Sequence, residues 1–159
     1  MSDLTYQQQV VFEQQQFALK TLWEANDKLD DKGNVLITGA SIIVGLVAGT
    51  NFFISPSVSI NGLSALIFAV FFLILVFASK LWSPQTMITP GPDDVDELYR
   101  SYISCELDDA YYQVVIDIAN AVKKARIANN DKARWLSWMI WSLQAQMVLL
   151  IFALVWLMV

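Results

Sequence analysis

The charged side chains of this chain fall in two blocks, Met1–Lys32 and Lys80–Arg134, and two long stretches, Gly33–Ser79 and Trp135–Val159, carry none. A charge at the centre of a bilayer costs several kcal/mol, and about 18 consecutive apolar residues are enough for a helix to cross one. The charge-free stretches therefore read as membrane spans. Apolar residues make up 56% of the 159-residue chain, and they form continuous runs rather than the one-sided pattern of a soluble helix. The first stretch is too long for one span. Ile54-Ser55-Pro56-Ser57-Val58-Ser59 breaks it, because proline and serine mark a turn. Two spans follow, about 34–53 and 60–82, and a third begins at Trp135. The first span lies behind an acidic segment and ahead of a second span, which is not the plan of a signal peptide.

Orientation follows from lysine and arginine. All 10 basic residues lie before the first span or between the second and third. Both charged blocks are then cytoplasmic under the positive-inside rule, and the chain ends near the outer face. Trp82, Trp135 and Trp138 suit the inner interface and Trp156 the outer one. The net charge of −5 comes from cytoplasmic acids and argues against a nucleic-acid binder. The single cysteine, Cys105, falls in a cytoplasmic segment and has no partner for an internal disulfide.

The N-terminal block reads as an amphipathic helix with a 4-3 series through Leu4, Gln8, Val11, Gln15, Ala18, Leu22, Ala25 and Leu29. Such a seam fits a helix lying on the membrane or on the chain's own cytoplasmic helices, and also fits an oligomerisation helix. In the first span Ser41, Gly45 and Gly49 are spaced four apart, a pattern that lets helices approach closely. Its partner is either the second span, through Gly62, Ala65 and Ala69, or another copy of the chain. Ser83–Pro92 is a linker that no helix can cross, and Asp93 suits the N-cap of the next helix. A second 4-3 series runs through Leu107, Tyr111, Val114, Ile118, Ala121, Ala125 and Ala128, all apolar. No proline or glycine lies between Asp93 and Val159, so this helix is expected to run on into the third span. Ser142, Gln144 and Gln146 are polar groups inside that span. They serve either as hydrogen-bonding contacts between helices or as the lining of a conduit.

The expected fold is all-α: a membrane protein with three transmembrane helices and a helical cytoplasmic layer, the last cytoplasmic helix running into the third span. Its parts are a cytoplasmic amphipathic helix over 1–32, a transmembrane hairpin over 33–82, a cytoplasmic linker and helices over 83–134, and the third transmembrane helix over 135–159.

The chain contains no histidine, which removes the usual general base and the commonest metal ligand. No phosphate-binding loop or Cys/His metal pattern is present, and the acids at Asp93–Glu97 suit a helix dipole. The chain therefore reads as a non-enzyme without a metal or other cofactor.

Chemistry concentrates at two boundaries. Leu29-Asp30-Asp31-Lys32-Gly33-Asn34 enters the first span, and Asn129-Asn130-Asp131-Lys132-Ala133-Arg134-Trp135-Leu136 enters the third. Cross-links are expected between Asp31 and Lys132 or Arg134, and between Asp131 and Lys32. These groups anchor the inner interface, or form a polar ring that senses a ligand or a moving helix. The basic ones suit a phosphate and suit anionic lipids equally.

The first of these segments resembles the start of the Pycsar transmembrane effector family, which carries an Asp-x-Lys motif flanked by alanines just before its first span. Asp30 and Lys32 match it; Leu29 and Gly33 stand where the alanines would be. Lys132-Ala133-Arg134-Trp135-Leu136 is similar to the family's basic entry into its last span. By order of elements the resemblance covers the chain from about Leu19 onward. It implies an antiphage effector of the bacterial inner membrane, multi-pass, with its N-terminus cytoplasmic. A partner nucleotide cyclase would supply a cyclic nucleotide on infection, and the effector would respond by impairing that membrane. Asp30, Asp31, Lys32, Asp131, Lys132 and Arg134 are then the gating or ligand-sensing candidates. The two-span effectors that accompany other nucleotide-signalling enzymes are similar in plan. The seams and small-residue stripe offer more helix surface than one chain readily buries, so a homo-oligomer is expected. Two other readings fit the residues: a membrane anchor or scaffold recruiting a soluble partner through the acidic helix, and an ungated holin-like pore.

Overall fold

The computed structural model describes residues 6–53, 62–83, 90, 91, 94–98, 100, 102 and 106–158. Within them the chain is all-α: α1 is Tyr6–Phe53, α2 Gly62–Leu81, α3 the single turn Val95–Leu98, and α4 Leu107–Met158. Three helices are long and apolar enough to cross a membrane, in the segments Gln8–Gly49, Gly62–Leu81 and Asp109–Val155. The expected turn at Ile54–Ser59, the proposed cap at Asp93 and Cys105 lie outside the described residues.

Two helices differ from their expected bounds. The N-terminal block and the first span are one helix of 48 residues rather than two elements. Gly33 alone does not stop it, since a mid-helix glycine costs only about 1 kcal/mol. The helix entering the third span, 52 residues long, begins at Leu107 and not near Asp93. Between them, the described residues Arg100 and Tyr102 are π-helical rather than α-helical.

The chain divides into two compact units, to which α1 and α4 each contribute. The first comprises Met1–Asp27 and Pro84–Asn130. Its core is Leu19 of α1 packed on Ala121 and Ala125 of α4, with Leu22 and Val122 around them. The alanines let the two backbones approach. The Asn129 amide donates to the Leu22 carbonyl at 2.7 Å, and the Tyr111 hydroxyl donates to the Gln8 carbonyl. Tyr102 donates to Asp117 of α4 at 2.5 Å and lies against Gly91, whose φ of 99° favours glycine. Burial, that hydrogen bond and the charge of Asp117 push the Tyr102 hydroxyl up to about 12.

The α1 stripe that turns inward largely follows the expected seam and departs from it at Val11. Val11 is exposed, whereas Leu19 is buried. The covered series is Gln8, Phe12, Gln15, Leu19, Leu22, Asn26 and Leu29, none of them exposed. It shares every second position with the expected seam and is rotated by one residue at the others. Leu19 fills the groove over the alanines better than Ala18 does, and the larger side chain sets the phase.

The second unit comprises Lys28–Ser83 and Asp131–Val159. Ala40, Ile74, Ala78, Leu81, Leu136 and Met139 form one buried cluster, and Ile43, Val47 and Ile67 another. Its outer surface is apolar too, with Val35, Phe72 and Phe152 well exposed, as suits a lipid solvent. Gly33 is buried where α1 meets the end of α2, and a Cβ there would overlap Cδ2 of the fully buried Leu81. Gly33→Ala should therefore lower the unfolding midpoint in mild detergent, costing about 1–3 kcal/mol as an overpacked core does. Gly45→Ala should not, because open space surrounds Gly45. Equal midpoints for the two variants would sink this account.

Candidate functional site at the entry to the charge-free spans

The α4 residues Lys132, Leu136, Met139 and Gln146 are all buried and lie on one face of the second unit. The two polar members behave oppositely. The Lys132 ammonium sits 2.8 Å from both oxygens of Asp30, joining α4 to α1. Its side chain is 7% exposed and that of Asp30 is 32% exposed. The chain neighbours Leu29 and Trp135 pack against the apolar cluster containing Leu136 and Leu81. The Phe77 ring of α2 stacks on Trp135 at 6.0 Å and leans on Trp138 at 6.4 Å. The ammonium is the drier of the two charges, so leaving it without its carboxylate is the costly loss.

The partner of Lys132 is thus Asp30 and not Asp31. Asp31, Lys32, Asp131 and Arg134 are all exposed. The reason is helical phase: Asp30 adjoins the inward series at Leu29 and Gly33, while the next residue turns about 100° away. Of the six boundary candidates, the fold brings two into contact.

Gln146 is 0% exposed, and neither its Nε2 nor its Oε1 has a hydrogen-bond partner. Its helical neighbours Leu143, Leu149 and Leu150 pack on Ile43, Val47 and Ile67. An amide buried without partners costs roughly 1–3 kcal/mol. Ser142 bonds back to the Trp138 carbonyl of its own helix at 2.9 Å, and Gln144 is exposed on the other side of α4. Ser41 and Gly45 are exposed, and Gly45, Gly49 and Gly62 face open space. The small-residue stripe therefore does not pack on α2 within this chain. Ala40 and Ala78 make the close contact instead.

The first unit holds a cleft of about 460 Å³, lined in part by Glu13, Phe17, Lys20 and Trp23 of α1, with Pro90 and Ile118. Phe17 is 72% exposed there, and Trp23 is exposed beside it. Two accessible rings flanked by one ammonium and one carboxylate suit a flat aromatic ligand. The sequence pattern gives no sign of this cleft as a site, although Glu13, Phe17, Lys20 and Trp23 recur at helical spacing.

Searches of protein-family models, of curated proteins and of solved structures found nothing that matches this chain.

Proposed function

We propose that this chain is a ligand-triggered effector of the bacterial inner membrane, multi-pass with its N-terminus cytoplasmic, which impairs that membrane in antiphage defence. The observation that carries the reading is the Asp30–Lys132 pair, an ion pair with a buried ammonium and a partly exposed carboxylate that ties α1 to α4 where both enter their charge-free stretches. Such a contact has two discrete states, made and broken, and a broken one invites water to the helix boundary. The unpartnered Gln146 supports the same reading, because hydration or a new partner would relieve it. The trigger is a cyclic mononucleotide, the product of a partner cyclase. The Phe17 and Trp23 rings suit its base and Lys20 its phosphate, and α1 carries both this cleft and Asp30.

Dye leakage from liposomes containing the full chain tests this. Leakage should follow addition of one cyclic mononucleotide from a purine and pyrimidine panel. Trp23→Ala should raise the concentration required by roughly 5- to 150-fold, the worth of one base–aromatic stack. Leakage without any nucleotide would favour the ungated pore, and no leakage under any condition would favour the scaffold.

A further inference from the structure

Gln144 stands on the outer face of α4, exposed, within the apolar surface of the second unit. Counting 1.5 Å per residue from Trp135, its amide lies about 13 Å along the span, near the middle of a hydrocarbon core about 30 Å thick. Glutamine is too short to reach either interface from that depth. Lipid tails offer it no hydrogen bond, so an amide held there alone is costly. Among the described residues no side chain bonds it.

The surrounding residues form a seam. Ser137, Trp141, Gln144, Val148, Ile151 and Val155 follow alternating steps of four and three, and all six are exposed. This is the knob spacing of a left-handed helix pair, with β-branched side chains at three positions and one polar residue inside. A primary amide is both donor and acceptor, so two identical copies satisfy each other across a two-fold axis. The inward stripe of the same helix, Lys132 to Gln146, is covered by α1 and α2, which leaves the other half of α4 open, with this seam along its middle and Ile140, Met147 and Phe152 beside it.

We propose that α4 pairs with α4 of a second copy of this chain along that seam, with the two Gln144 amides hydrogen-bonded to each other near mid-membrane. The pairing needs no ligand and stands whether or not a nucleotide gates the protein. The small-residue stripe at Gly45 and Gly49 is not part of it.

Cysteine cross-linking of the full chain in native membranes tests the interface. The background is Cys105→Ser, which removes the only native thiol. Oxidation should cross-link Val148→Cys and Ile151→Cys into dimers. Leu149→Cys, on the side of α4 that packs on Ile43, Val47 and Ile67, should stay largely monomeric. Adding Gln144→Leu to Val148→Cys should weaken dimerisation about tenfold, the worth of an interhelical hydrogen bond in a bilayer, while Gln144→Asn should retain most of it. Equal cross-linking at Leu149 and Val148, no effect of Gln144→Leu, or cross-links only to other membrane proteins would each overturn the proposal. None of these readouts depends on leakage, so a failed interface and a failed trigger are told apart.

Discussion

Asp30→Ala should destabilise the folded protein by about 3–5 kcal/mol, while Lys132→Met should cost little or even stabilise it. Both changes delete the same ion pair, but they leave different remainders. Without Asp30, an ammonium that is only 7% exposed has no counter-charge. Without Lys132, the remaining carboxylate is 32% exposed and still reaches solvent, and methionine fills the vacated volume among Leu136 and Met139. Asp31→Ala, at an exposed carboxylate, should stay within about 0.5 kcal/mol of the parent. Unfolding in graded denaturing detergent, followed by tryptophan fluorescence, measures all three. Equal losses for Asp30→Ala and Lys132→Met would refute the buried-charge account. In the leakage assay the functional reading adds one outcome. Lys132→Met should change the trigger threshold, because a methionine packed beside Asp30 has no broken state to visit.

Gln146→Leu should stabilise the protein by roughly 1–3 kcal/mol, the cost now carried by an amide with no partner. It should also reduce nucleotide-dependent leakage at least about tenfold, since about 1.4 kcal/mol of added preference for the resting state is a factor of ten. The volumes of glutamine and leucine are close, so overpacking is not a confounder. A destabilised Gln146→Leu would show that the amide is satisfied in the working protein and would remove it from the mechanism. Gln144→Leu provides the contrast. It lies on the opposite face and should change dimerisation while leaving the packing of one chain intact.

The two polar positions of the inward face were within reach of the sequence. The apolar series through Ile118, Ala121, Ala125 and Ala128, continued in the same steps, arrives at Lys132, Trp135, Met139, Ser142 and Gln146. None of these is exposed. Both Lys132 and Gln146 stand out in the sequence as polar candidates, but only the continued series places them on one inward face. In α1 the corresponding series, followed past Leu29, passes through Gly33, Leu36, Ala40, Ile43 and Val47, also all covered. There the obstacle was phase. Positions 18 and 19, and 25 and 26, are covered together, so burial separates the two series only at Val11, which is exposed, and Phe12, which is not. The cleft at Phe17 and Trp23 was hidden for a different reason: part of its lining comes from Pro90 and Ile118, far along the chain.

The order of residues alone dictates where the charges lie, and with them three helices able to cross a membrane and the long α4 that joins a charged block to an apolar one. These are one-dimensional properties, since the cost of a charge in hydrocarbon depends on its own chemistry and not on a neighbour. The direction in which each helix faces had to wait for the packed chain: Asp30 rather than Asp31 toward Lys132, Ala40 rather than Gly45 toward α2, Gln146 inward and Gln144 outward. A span that is apolar on every side has no polar face to set its rotation. The rotation is set by the fit of side chains on adjacent helices, and that is where the two charges at the boundary found each other.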